Sequence, residues 1–283
     1  MISEGALVLF TLASELACGL ALAAALLDVF GRGPEAAAVG RKLALAAFPV
    51  AVAAMAASLF HLGRPLSAWR AVLNWKTSPL SAEILFFAPF LGASFLYAIV
   101  WFLRRTILRR TLGVLTAGLG VAAVVASSLV YLIPGREPWN SGWVPLSFFG
   151  SALILGGLTA VSFGGLDGKD RSRRLALLGG AIGGLTLALS AGWMLLRVSG
   201  SGLDAYGTAQ LRAARALVMA DSGLWLALII VLSGILPIAF AVLGRRSSRY
   251  DAGFGKGVLL AALAGLAVGR VLMFAVGTRI PLF

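Results

Sequence analysis

One cysteine, Cys18, and one histidine, His61, are the whole supply of thiolate and imidazole in 283 residues. A buried haem pair needs several axial ligands and an iron–sulfur cluster four thiolates, so the chain is expected to bind no redox metal of its own. Charge is scarce as well, at 12% of residues, and acid is scarcer than base, with 11 Asp and Glu against 24 Lys and Arg. Met1 to Val29 contains no Lys or Arg, only Glu4, Glu15 and Asp28. That stretch is too long for a signal-peptide core and has no basic segment before it, so it reads as a retained first helix. No glycine-rich phosphate loop follows a strand pattern, and no nucleophile–base pair suits hydrolysis.

What the chain has in abundance is apolar surface. Hydrophobic residues make up 60% and the mean hydropathy is +0.96, which no soluble domain sustains. Crossing ~30 Å of hydrocarbon takes ~20 apolar residues. Eight runs qualify, near 5–28, 43–62, 83–103, 112–133, 146–166, 175–196, 222–243 and 257–277. They are continuous and rich in Leu and Ala rather than alternating, which argues against an outer-membrane barrel. Short punctuators such as Gly31-Arg32-Gly33-Pro34, Ile133-Pro134-Gly135 and Ser199-Gly200-Ser201-Gly202 mark turns. The expected architecture is an all-α integral membrane protein, residues 1–283 forming one polytopic domain of eight transmembrane helices in two four-helix bundles.

A net charge of +13 raises the question of nucleic acid, but the basic residues are spread over loops on both sides of the spans. Their distribution reports topology instead. Odd-numbered loops carry 15 Lys and Arg, and even-numbered loops and termini carry 8, with Arg270 left inside the last span. By the positive-inside rule the richer side is cytoplasmic, so both termini and the His61 segment face outward, to the periplasm in a prokaryotic inner membrane. The outward loops 63–82, 134–145 and 197–221 are the longest and read as a docking surface for a partner.

Helical spacing sorts the polar groups within the spans. Thr11, Glu15, Cys18 and Gly19 share one face, which places the Glu15 carboxylate among small residues inside the helix bundle. Cys18 reads as a small packing residue. Ser127, Ser128 and Tyr131 share a face of the fourth span, with Tyr131 level with His61; an interfacial anchor and a hydrogen-bonding partner of a ligand are both open for it. Arg270 follows Gly265 and Gly269 and is too deep for a loop charge, so it needs a buried carboxylate such as Glu15 or Glu83. Glu15, Asp28 and Arg270 are either paired structural charges or parts of a transmembrane proton path. Gly179, Gly180, Gly183 and Gly184, and Gly265 with Gly269, have the four-residue spacing of close helix packing. Pro49, Pro89 and Pro237 mark places where spans can kink.

His61 ends the second run and Glu83 begins the third, and a titratable group at the edge of a hydrocarbon layer reads as functional by default. The competing readings are an interfacial histidine that caps its helix and a Ser81-x-Glu83 helix start. The segment Ser58-Leu59-Phe60-His61-Leu62-Gly63-Arg64-Pro65-Leu66-Ser67-Ala68-Trp69-Arg70, with Asn74, Ser78, Leu80, Ser81 and Glu83-Ile84 after it, resembles the membrane anchor subunit of dimethyl sulfoxide reductase. That family lies within a broader group of polysulfide and nitrite reductase membrane subunits. The similarity extends from Phe10-Thr11 through Trp139, Pro145 and Phe148-Phe149 to Gly269-Arg270. It differs at Glu15, where that anchor has Gln, and at Leu266, where it has an acidic residue.

The resemblance implies a three-subunit oxidoreductase: a molybdopterin catalytic subunit, an iron–sulfur subunit, and this anchor, which exchanges electrons with the menaquinone pool. It ties His61 and Glu83 to quinol binding and oxidation. The chemistry of the side chains is consistent with that. Quinol oxidation releases two protons and two electrons, and a neutral imidazole of pKa ~6.5 can accept a hydroxyl proton while a carboxylate orients it or relays the proton. The candidate site therefore comprises His61 and Glu83 as the reacting pair, with Arg64, Tyr131 and Glu15 as further quinone-binding groups. No metal ligand set is expected, and electrons must pass to an iron–sulfur partner on the outward loops. Two other readings stay open: a secondary transporter using Glu15, Glu83 and Arg270, and a structural anchor without a quinone site.

Overall fold

The computed structural model describes residues 2–60, 79–103, 106–164, 166, 171–200, 202, 204–244 and 252–278. Their regular structure is all helical, joined by turns, with no strand among them. α1 (Ile2–Phe30), α2 (Gly33–Leu59), α3 (Pro79–Leu103), α4 (Thr106–Leu129), α5 (Trp143–Ser162) and α6 (Arg171–Ser199) are followed by a short α7 (Ala205–Val218). α8 (Leu224–Ile229) and α9 (Leu236–Gly244) are two ends of one span joined by a π-helical segment, Ile230–Ile235, and α10 (Ala252–Thr278) is last. Eight of these stretches are long and apolar enough to cross a membrane. All eight expected spans are present.

Their bounds differ where local chemistry overrides hydropathy. α2 starts at Gly33, ten residues before the expected 43, because Gly33 takes a φ of +83° and Pro34 pre-sets the first turn above Glu35. Arg41 and Lys42 thus sit within the helix: Arg41 lies over Phe102, 5.5 Å from its centroid, and the Lys42 ammonium donates to the Phe163 carbonyl at 3.3 Å. The fourth span stops at Leu129, not 133, and Tyr131 falls in the turn that leads to Pro134. α5 runs from Trp143 to Ser162 and ends before Gly164, whose φ is +73°. The expected loop 197–221 is mostly helix. α7 is capped by Asp204, which accepts from the Gly207 amide at 2.6 Å, and buries Leu211, Ala214 and Val218.

Pro49 and Pro89 lie inside continuous helices. At Pro237 the chain responds differently: a proline here lacks the N–H for its turn and crowds the carbonyl of Ser233, and the helix widens into the π segment just before it.

α1 packs against α2, α4, α5 and α10, and α3 completes the set with α2 and α4. α5 packs against α6 and α10, and the α8–α9 span lies between α6 and α10. The seam between α1 and α5 is a backbone contact: Gly19 and Gly156 face each other with no room for a Cβ on either. α5 and α6 meet the same way, since a Cβ on Gly183 would lie 2.7 Å from the Gly150 carbonyl oxygen. Gly184 approaches the Gly234 carbonyl of the π segment, and Gly265 the Ser233 hydroxyl, whereas Gly179 and Gly269 make ordinary contacts. One glycine of each four-residue spacing, Gly183, Gly184 or Gly265, therefore makes a close approach, and the other member of each is ordinary packing.

Candidate functional site

Glu83 sits in the first turns of α3 and is 6% exposed. Ser127 of α4 donates a 2.6 Å hydrogen bond to Glu83 Oε1, so the serine on the predicted polar face of the fourth span holds the carboxylate. Glu83 lines a cleft of about 360 Å³ with Phe10 of α1, Met55 and Ser58 of α2, and Leu80, Ile84 and Phe87 of α3. The Ser58 hydroxyl donates to the Met55 carbonyl at 2.7 Å, which leaves its oxygen as an acceptor. Apolar walls with a few convergent polar atoms are the usual make-up of a small-molecule site. α2 ends at the cleft, with Leu59 two residues before His61 in sequence. His61 and Arg64 themselves lie outside the described residues.

The other intramembrane charges sort into two places. Glu15 and Arg270 form a buried ion pair between α1 and α10, 1% and 3% exposed at their side chains, with Arg270 Nη2 donating to Glu15 Oε1. Arg270 thus takes Glu15, not Glu83, as its carboxylate. The guanidinium also stacks on Phe148, 3.9 Å from the ring centroid. Phe148 belongs to an aromatic cluster centred on Tyr131, whose ring lies 5.3 Å from Trp139, 5.6 Å from Phe148 and 5.6 Å from Phe274. Tyr131 is buried at 7% exposure. It is therefore a packed core residue, not an interfacial anchor in contact with lipid headgroups.

Asp28 stands apart, at the C-terminal end of α1. Arg109 of α4 grips its carboxylate, with Nε at 2.9 Å and Nη2 at 2.5 Å from Oδ1, while Arg110 Nε donates to its backbone carbonyl at 3.2 Å. Arg109 in turn lies 4.1 Å from the Trp101 ring centroid. Asp28 and Arg270 are thus each paired, in two separate places. Thirteen residues of α1 separate Glu15 from Asp28, roughly 20 Å at ~1.5 Å per residue.

Sequence reasoning passed over a second network, which fixes the segment after Tyr131. Glu137 pairs with Arg197 of α6, its amide donates to Gln210 Oε1 at 3.1 Å, and Gln210 Nε2 donates to the Gly135 carbonyl at 3.2 Å. Trp139 Nε1 donates to the Met273 carbonyl at 2.7 Å, and Arg136 reaches the Gly277 carbonyl. The segment 134–142 and α7 are thus tied to each other and to α10. A lone acid, Glu137, beside Trp139 and Trp143 between two spans was the available signal. Among the described residues no three His, Cys, Asp or Glu side chains come together as a metal site.

Two comparisons bear on what this arrangement belongs to. A 59-residue segment is 42% identical to a sulfite dehydrogenase subunit of Allochromatium vinosum, covering 20% of this chain and 18% of that protein. The family described as DMSO reductase anchor subunit (DmsC) matches residues 2–276, nearly the whole sequence. This multi-pass membrane protein belongs to the DMSO reductase anchor subunit family.

Proposed function

We propose that the chain is the quinone-reactive membrane anchor of a multi-subunit molybdopterin oxidoreductase in a prokaryotic inner membrane. The observation that carries this reading is the placement of Glu83: a buried carboxylate lining an apolar cleft between α1, α2 and α3 and held by Ser127, near the end of α2, which in sequence leads to His61. Burial of an acid beside lipid is costly, and a proton-releasing substrate is a reason to retain it.

A quinol head enters the cleft with its tail along the apolar walls. One hydroxyl donates to His61, which takes its proton; Glu83 orients the ring or passes a proton on, with Arg64 and the Glu15–Arg270 pair setting the local charge. Loss of two protons and two electrons yields the quinone. The electrons leave through an iron–sulfur cluster of a partner seated on the segments 63–82, 134–145 and 197–221, and a molybdopterin subunit beyond it carries the substrate chemistry. In this arrangement the helices form two four-helix bundles joined along α1 and α5, with both termini on the periplasmic side.

The test is His61→Ala in the assembled complex, alongside Glu83→Gln. Both are expected to lower quinol-dependent electron transfer at least tenfold, about 1.4 kcal/mol or more in the barrier, while artificial dyes still reduce or oxidise the catalytic subunit at the wild-type rate. Quinol turnover at the wild-type rate in an intact His61→Ala complex refutes the assignment.

A further inference from the structure

A second cleft, enclosing about 460 Å³, lies within α5, α6, α8 and α10 and includes no residue of α1 to α4. It shares no lining residue with the Glu83 cleft. Its polar wall has a definite character. Ser147 donates to the Val144 carbonyl at 2.7 Å, Ser151 to the Ser147 carbonyl at 2.8 Å and Ser190 to the Trp143 carbonyl at 2.8 Å. With their protons committed to backbone, the three hydroxyl oxygens can only accept. Arg270, also on this wall, is the contrary case. Its Nη2 goes to Glu15 and its Nη1 lies 3.4 Å from the Met273 sulfur, but its buried Nε has no hydrogen-bond partner. Buried N–H groups in folded proteins nearly always have an acceptor. The rest of the lining, including Leu187, Met194 and Leu266, is apolar.

An occupant that satisfies this wall brings donors to the serine oxygens, an acceptor to Arg270 Nε and an apolar body. A lipid acyl chain brings neither polar function. A phosphate or a quinone carbonyl brings acceptors only and would face three more. Water supplies both functions but is poorly held by the apolar part of the cleft. A hydroxyl on an apolar ring both donates and accepts.

We propose that this cleft is a second site, for a lipid-soluble hydroquinone that is retained rather than turned over. Its hydroxyl protons go to the serine oxygens and a hydroxyl oxygen accepts from Arg270. No carboxylate or imidazole lines this cleft, so the molecule binds without being oxidised. The inference shares its ligand class with the proposed function but stands on its own cleft.

The test uses the purified complex, an azido-naphthoquinone probe reduced with dithionite, photolysis and peptide mapping. Wild type is expected to carry label on α6 and α10 peptides, and Glu83→Gln to retain it. Ala191→Phe, which fills the cleft, should lower that label on the order of tenfold and leave label at Leu80–Phe87 unchanged. Because Ala191→Phe can fail to fold, the double substitution Ser147→Ala with Ser190→Ala serves as a second variant, expected to lower the α6 and α10 label by a similar factor through loss of two acceptors. Absence of label on α6 and α10, or label indifferent to both variants, overturns the second site. Label on α6 and α10 without any at Leu80–Phe87 supports the second site and counts against the Glu83 cleft as a quinol site.

Discussion

Ser127 donates a 2.6 Å hydrogen bond to Glu83 across the α3–α4 interface. It is the one hydrogen bond to the Glu83 carboxylate among the described residues, so α4 sets where the acid points. Ser127→Ala removes the donor and leaves a buried carboxyl oxygen without a partner, at a cost of about 1–3 kcal/mol. The expected result is a lower thermal midpoint together with a several-fold loss of quinol turnover, and Ser127→Thr, which restores a hydroxyl, should recover most of both. Heat-denaturation curves and quinol oxidation rates on the three proteins check it.

The buried pair of Glu15 and Arg270 allows a sharper separation. Removing one partner leaves an uncompensated charge in the membrane interior, worth about 3–5 kcal/mol of destabilisation, whereas replacing both with apolar residues of similar size is often close to neutral. Arg270→Met alone should therefore reduce the yield of folded complex severely, and Glu15→Leu with Arg270→Met should restore it. Denaturation midpoints of the single and double variants measure the coupling. A double variant no more stable than Arg270→Met would show that the pair is not the reason Arg270 is tolerated at this depth.

How much of this was legible in the sequence varies with the physical signal. Eight spans follow from hydropathy because the cost of exposing backbone in lipid dominates all else. The inward face of Glu15 followed from helical spacing, but the choice of Glu15 over Glu83 as partner for Arg270 did not, since periodicity fixes a face and not which helix lies opposite. Tyr131 was ambiguous because its surroundings come from Trp139, Phe148 and Phe274, each on a different segment. α7 was hidden by its low hydropathy: an amphipathic helix lying against other helices needs only Leu211, Ala214 and Val218 on its inner face. The cleft of Ser147, Ser151 and Ser190 left no mark in the sequence: Ser147 and Ser151 bond their own helix's backbone, as serines in membrane helices commonly do, and Ser190 bonds a carbonyl of α5, a partner that spacing along α6 does not reveal.

Asp28 provides a test of which charges belong to the chemistry. It is held by Arg109 and Arg110 at the far end of α1, roughly 20 Å from Glu15 at ~1.5 Å per residue. Asp28→Asn keeps the shape but removes the charge opposite Arg109, so the expected effect is a modest loss of stability. Quinol turnover should stay within about twofold of wild type, since sites this far apart with no shared partner act independently. A tenfold fall in turnover with an unchanged melting curve would instead place Asp28 on a proton path.

The α1–α5 seam is the most exacting packing contact. A Cβ on Gly19 would meet the Ala152 carbonyl oxygen and the Gly156 amide nitrogen, and backbone atoms of a neighbouring helix cannot turn aside as a side chain can. Gly19→Ala must push α1 from α5, which also shifts Glu15, one turn away, from Arg270. Overpacking of this kind costs about 1–3 kcal/mol and sometimes more. Gly118→Ala on α4, where nothing lies within 4 Å of the added carbon, is the matched control and should be neutral or slightly stabilising, as expected for Ala over Gly in a helix. Comparing the melting temperatures of the two variants with wild type separates the seam from a general intolerance of alanine. Equal midpoints for all three would mean that α1 and α5 are not in backbone contact at Gly19.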